Sequence, residues 1–597
     1  MAMKFCRSHG SDCGGSVSHE NSVMSGTVRR YHRLCLCVGR ECEFREEKGE
    51  VFQPGELGVP GQGVLRRGED LAPIVFHTRT IMTFEFKHTA DAAEARRIID
   101  AEIAVHEAAI RRLGHCRNTY SSISRLPSEI VATIFLLVKS ELGQGAVGHI
   151  SGVCRQWREI LLASPRIWSS INVSRVESVL ELLKRSKSVP LKIKCEEYSC
   201  TEPHRRAAEA VMAEVGRIQD LNLSLPPKDL VDFLRLNGDA SASMIEHLQL
   251  RAVYPPESFS LPRDIMRREM PSLRLLDLTN MVISSQLPML PHLTCLRISC
   301  HRIHGSLLLS SLQCTPKLKE LRVEGGLVMD GPMGPLTGPV QLPNLTYITI
   351  ISVDLESAAV FANIEYPPRA NVFFRHDRQH RGEPDLSALV AMSRRFQIAP
   401  LPIDTALLGC SSSGQLRIFI ESTHHSGSWQ LSLLLNVESR YSSATCITLC
   451  SALSLGDVTI LRLSAFIDMN PTELTSFYRL FPRVQALHWN NTPAWYFRTL
   501  MKSPSIELPL PGLERLYLSK CDFMVMDAQL FEGLKGFLKE RKDLGTPVVR
   551  AKIRMSSITE EAVEDLEEFT EVDWDGEESV FGSDEECLSY GTSYGSS

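Results

Sequence analysis

Long apolar runs are missing from this chain of 597 residues. The longest, IVATIFLLV (Ile130–Val138), is half of the roughly 18 residues that a membrane span needs, so no span is expected. The opening MAMKFCRSHGSD has no apolar core, and no signal peptide is expected. Catalytic signatures are scarce too: there is no Gly-x-x-x-x-Gly-Lys loop and no His-Glu-x-x-His pair. His424 and His425 precede Ser426, but no acid is placed to complete a triad, and adjacent strand residues point opposite ways. These gaps make an enzyme the poorest reading, and no cofactor is expected. The 17 cysteines are odd in number and scattered, which fits reduced thiols in the cytoplasm or nucleus. Cys35, Cys37 and Cys42, with His32, have no zinc-finger spacing, and no metal is expected.

Lysine and arginine are absent between Glu560 and Glu586, a stretch that holds 14 acids. The net charge of -6 therefore hides a body that carries a formal +8 without that stretch. A body so mildly basic, with no stripe of interleaved arginine and aromatics, does not point to nucleic acid. Dense like charge predicts an acidic, disordered tail over 559–597. Residues 1–88 are rich in glycine, cysteine and charge and are read as a separate segment without a predicted fold.

What the chain does have is a repeat. Pro-x-Leu-x-x-Leu-x-Leu, with Ile, Val or Trp allowed, starts at Pro271, Pro291, Pro316, Pro343, Pro482 and Pro511. Neighbouring copies lie 20, 25, 27 and 29 residues apart, and the one long gap of 139 is close to five such periods. Each proline is expected to end a preceding helix, and the alternation after it to form a strand with one buried face. Weaker copies begin at Ile218, Ile245 and Val458, while LRIFI (416–420) and WQLSLLL (429–435) are candidate strands in the gap. A period of this size predicts a solenoid with one strand and one return per repeat. The further apolar position of the leucine-rich consensus is met by Ile283, Ile303, Val328, Leu355 and Phe523, and its Asn/Cys position cleanly by Cys521 alone, so the repeats are irregular.

Two helical segments precede the repeats. In 89–120, Ala92, Ala95, Ile99, Ile103, His106, Ile110 and Leu113 recur at 3–4 spacing, which predicts an amphipathic helix, packed on its own chain or else paired with a partner in a short coiled coil. From Ile123 to Val173 the chain reads ISRLPSEIVATIFLLVKSELGQGAVGHISGVCRQWREILLASPRIWSSINV. Ile130, Ile134 and Leu137 share one helical face; Val153, Trp157, Ile160 and Leu161 make a second. So short a module buries both faces poorly by itself, which leaves one for a partner.

This block resembles an F-box, the helical module that docks on the Skp adaptor of cullin-RING ubiquitin ligases. Leu126-Pro127-Ser128-Glu129-Ile130 is similar to the family's opening, Ile134 and Phe135 to its next apolar pair, Val153-Cys154-Arg155-Gln156-Trp157 to its Val-Cys-x-x-Trp core, and Pro165-Arg166-Ile167-Trp168 to its close. The middle helix departs from the family's leucine-rich one: Gly145, Gly148 and Gly152 each weaken it by roughly 1 kcal/mol relative to alanine. With the irregular repeats and the late EVDWDG, the whole is similar to the large F-box families of mushroom-forming fungi. The resemblance implies an α/β protein with an F-box over 121–173 and a leucine-rich-repeat solenoid over 174–558. It implies an adaptor-binding set of Leu126, Pro127, Ile130, Ile134, Phe135, Val153 and Trp157, although the bulk of Trp157 also suits a core. The partners implied are the Skp adaptor, through it a cullin, and a target protein held by the solenoid. The other reading is a leucine-rich scaffold outside ubiquitylation, with a vestigial or adaptor-only F-box.

Overall fold

The computed structural model describes residues 92–576, apart from 197–201, 239, 255–258, 263–268, 282–289, 329–338, 381, 399–402, 412–414, 423–428, 465–468, 491–496, 498, 502–507, 522 and 524–528. The cysteine cluster at 32–42, the rest of 1–88, Ile283, His424–Ser426 and residues 577–597 lie outside the described residues.

Helix α1 spans Ala92–Thr119. Its stripe was expected to pack on the chain, yet Ile99, Ile103, Ile110 and Leu113 stay exposed. On its surface Glu107 pairs with Arg111 at i, i+4, and Glu102 lies 3.6 Å from His106 at the same spacing. A helical block follows: α2 (Ser128–Leu142), α3 (Gly145–Val153), α4 (Arg155–Ala163) and α5 (Pro165–Trp168). The block ends earlier than 173, because β1 (Ser170–Asn172) is already a strand of the sheet, with Ile171 in the sheet's core. Helix α6 (Val176–Ser186) then leads to β2 (Leu191–Cys195).

The strands continue as β3 (Ile218–Leu225), β4 (His247–Ala252), β5 (Leu275–Thr279), β6 (Cys295–His304), β7 (Glu320–Val328), β8 (Val340–Gln341), β9 (Tyr347–Ser352), β10 (Ile364–Glu365) and β11 (Asn371–His380). After them come β12 (Thr405–Cys410), β13 (Gln415–Ser422), β14 (Trp429–Val437), β15 (Ile460–Ser464), β16 (Ala486–Asn490), β17 (Arg515–Ser519), β18 (Arg550–Arg554) and β19 (Glu571–Trp574). Strands β8 and β10 form a small parallel ladder of their own. The other 17 make one mainly parallel sheet of a mixed α/β protein. A buried row crosses it strand by strand, from Ile171 through Ile193, Leu221, Leu248, Leu276 and Leu296 onward to Leu516. Alternate residues face the other way: Lys192 and Lys194 of β2 are exposed between buried Leu191, Ile193 and Cys195, and on β14 the alternate residues are half-buried.

The prolines act differently from the expectation. Each occupies the second position of a four-residue turn, which suits its fixed φ. The turn is closed by an amide three residues on: Leu273 to Met270 O (3.1 Å), Leu293 to Leu290 O (3.1 Å), Leu318 to Thr315 O (3.1 Å), Leu345 to Leu342 O (3.2 Å), Val484 to Phe481 O (3.4 Å) and Leu513 to Leu510 O (3.1 Å). In every copy the strand begins four residues after the proline. Arg541 fixes the last of these turns, donating to the carbonyls of Pro509, Leu510 and Pro511 from full burial; burial lowers its pKa to about 10.

Among the described residues the long gap holds five strands of the large sheet, β11 to β15, besides β10, but they are not five copies in series. β11 pairs with β9 and β14, β14 with β13, β13 with β12, and β12 with β15. β13 runs antiparallel to both neighbours, so LRIFI and WQLSLLL form the arms of a hairpin inserted out of chain order. β12 lies so close to β15 that a side chain on Gly409 would come within 2.2 Å of the Ser464 carbonyl. The acidic tail also starts later than 559. Thr559 caps the helix Glu560–Glu567 by accepting the Ala562 amide, and β19 pairs in parallel with β18.

Candidate functional site

The helical block is built around a core distinct from that of the sheet: Val131, Phe135, Val147, Ile150, Leu161, Ile167 and Trp168, with Leu182 of α6 touching both. On α2, residues 100° apart fall on different faces. Val131 and Phe135 point inward, while Ile130 and Leu137 are 48% and 62% exposed and Ile134 is half-buried. Phe135 stacks obliquely on Trp157 of α4, with ring centroids 5.0 Å apart. Trp168 closes the block: its indole N–H donates to Leu161 O at 2.8 Å, and the Arg185 guanidinium of α6 lies 4.6 Å above its ring. Lys139 ties the end of α2 to α5 by donating to the Ile167 carbonyl, and burial lowers its pKa to about 8.

The entry to α2 is fixed from α1. The Ser121 and Ser124 hydroxyls both donate to Asn118 O, at 2.8 and 2.7 Å. Pro127 sits at the N-cap with its carbonyl accepting the Ile130 and Val131 amides, which leaves Leu126 and Pro127 exposed at the corner. The glycines of α3 do not prevent a helix: Ala146, Val147 and Ile150 bury it, and a Cβ at Gly145, Gly148 or Gly152 would meet open space.

The proposed contact set therefore divides. Leu126, Pro127, Ile130 and Ile134 line the outer side of the α2 entry, and Val153 is 50% exposed at the end of α3. Phe135 is 2% exposed and belongs to the core, a correction forced by its one-residue offset from Ile134. Trp157 is half-buried and serves that core from its edge. Leu137, Leu142 and Leu162 are exposed apolar residues that the motif match left out, although helical spacing had already placed Leu137 on one face with Ile130 and Ile134.

Among the described residues no group of three or more His, Cys, Asp or Glu is placed to hold a metal ion, and no helix is long and apolar enough to cross a membrane. Cys295 and Cys300 are buried, and burial pushes their thiols up, Cys295 to about 12. Gly591–Gly595 has the letters of Gly-x-Ser-x-Gly, a match the motif reading passed over. It lies outside the described residues. A scan against protein-family models finds no match to this chain, and a search of curated proteins finds none.

Proposed function

We propose that this protein is the target-recognition subunit of a cullin-RING ubiquitin ligase, with residues 121–168 acting as an F-box and the sheet that follows as an irregular leucine-rich-repeat solenoid. One observation carries the reading: a small helical block with its own core leaves Leu126, Ile130, Leu137 and Val153 in solvent. Apolar groups so placed are stabilised by a covering partner. The Skp adaptor is the occupant that the Leu-Pro-x-Glu-Ile opening implies. The subunit itself performs no chemistry. It holds a target near activated ubiquitin and so raises the effective concentration of the target's lysine.

A second reading rests on α3, which is short, at nine residues, and rich in glycine. A weakened middle helix favours a leucine-rich scaffold outside ubiquitylation, whose F-box is vestigial or holds the adaptor alone. Co-purification separates the two. The tagged protein is expected to bring down adaptor and cullin together; adaptor without cullin, or neither protein, sinks the ligase reading and supports the second. Replacing Leu126, Pro127 and Ile130 by alanine is expected to abolish capture with the sheet still folded.

A further inference from the structure

We propose that the target presents an acidic segment bearing one large apolar side chain, and that the open face of strands β12–β18 receives it; this rests on the reading of the sheet as the target-binding element. Residues directly opposite one another across this part of the sheet run Phe419, Leu407, Arg462, His488, Tyr517 and Lys552. The row is half-buried to exposed along its length. Its first two members are apolar; the rest form a cationic and aromatic strip. Arg515 and Arg550 flank the strip two residues earlier on β17 and β18. Among the described residues Arg462 and Arg515 form no ion pair, although both are exposed.

The His488 and Tyr517 rings stack face to face, 4.0 Å apart at 13°, and form an aromatic block between Arg462 and Arg515. Burial, with the charges of Arg462 and Arg515 nearby, lowers the His488 pKa to about 4, so at neutral pH the stacked pair is uncharged and the positive charge of the strip is carried by its arginines and lysine. Beside it a cleft of about 80 Å³ is lined by Arg515, Leu516, Tyr517, Arg550, Lys552 and Asp573; Asp573 already pairs with Arg550 and Lys552 there, which leaves Arg515 as the cation open to an incoming carboxylate.

The strip is also short. Arg462 to Lys552 spans three strand steps, roughly 14 Å. Carboxylates bound it on both sides: Glu421 on β13, and Asp573 on β19, which already pairs with Arg550, Lys552 and Arg554. A nucleic-acid backbone would carry its charge past those acids and be repelled, and the closed His–Tyr stack leaves no slot for a base. A few carboxylates beside an apolar anchor match both the charge and the width.

The test is selection of a random peptide library displayed on phage against the full-length protein. Enriched sequences are expected to combine acids with a Phe, Leu, Ile or Trp, and recovery is expected to fall about tenfold or more with Arg462→Glu/Arg515→Glu and at about 0.5 M salt. Arg462→Gln/Arg515→Gln, which adds no repulsion, is expected to lose recovery as well, with hydrogen exchange in β15–β18 unchanged. No enrichment, neutral or basic winners, recovery indifferent to the substitutions, or displacement by oligothymidylate in preference to the peptides would each overturn the proposal. Adaptor capture by the same variants is expected to be intact. Its loss in an unmodified protein would count against the ligase reading and leave the peptide result standing.

Discussion

Phe135→Ala should unfold the helical block and leave the sheet intact. The ring is 2% exposed, and it fills the space between Val131, Leu161 and Trp157. Truncating such a residue costs about 3–5 kcal/mol, the lost transfer energy plus the cavity left behind. A core built from a module this small supplies about 3–5 kcal/mol in all. The two figures are equal, so the variant block should be largely open. The sheet's core is separate, joined to the block mainly through Leu182, and it should hardly change. Hydrogen exchange read by mass spectrometry resolves the two regions. Amides of 131–161 are expected to lose about 100-fold or more of their protection, while those of β3–β7 keep theirs. Ile130→Ala, on the exposed side of the same helix, should cost well under about 1 kcal/mol and serves as the control. Equal protection in both variants, or loss across the whole sheet, would refute the claim of a separate core and an inward Phe135.

The glycines of α3 give the opposite sign. Gly148→Ala and Gly152→Ala meet open space and should each stabilise the block by about 1 kcal/mol, seen as slower exchange of 145–153; no gain would mean that the helix is not formed as described. His488 supplies a pH dependence. Its folded pKa of about 4 lies below the ordinary 6.5, so the unfolded chain takes up the proton first. The stability it contributes is complete above about pH 6.5 and is lost as pH falls toward 4; partial exposure of the ring reduces the effect to about 1–2 kcal/mol. His488→Phe retains a ring over Tyr517 and should flatten the fall in urea midpoint between pH 7 and 5, whereas parallel profiles for both proteins would contradict the assignment.

Much of the sheet was legible because one local device repeats. Proline in a four-residue turn, then a buried leucine two positions on (valine at 484), sets the strand start in all six copies. The turn itself was misread, since the same fixed φ suits both a helix end and the second place of a turn. Pairing order from 344 to 481 was not legible. The alternation of β13 and β14 marks strands but carries no information on which neighbour each meets, or in which direction. Acidity hid the last two elements: Val563 and Leu566 bury one side of the helix Glu560–Glu567, while its acids face outward. In the helical block the motif located the exposed corner at Leu126 and Pro127. It also paired Ile134 with Phe135, and helical geometry separates those two by 100°.

The most direct measurement is calorimetric titration of the full-length protein with purified Skp adaptor, repeated for Leu126→Ala/Ile130→Ala. The account predicts saturable one-to-one binding that weakens about 100-fold in the variant, from the 2 kcal/mol or more that a buried anchor residue contributes, with both proteins equally protected in 131–161. No heat from the unmodified protein, or the same affinity in the variant, would contradict it.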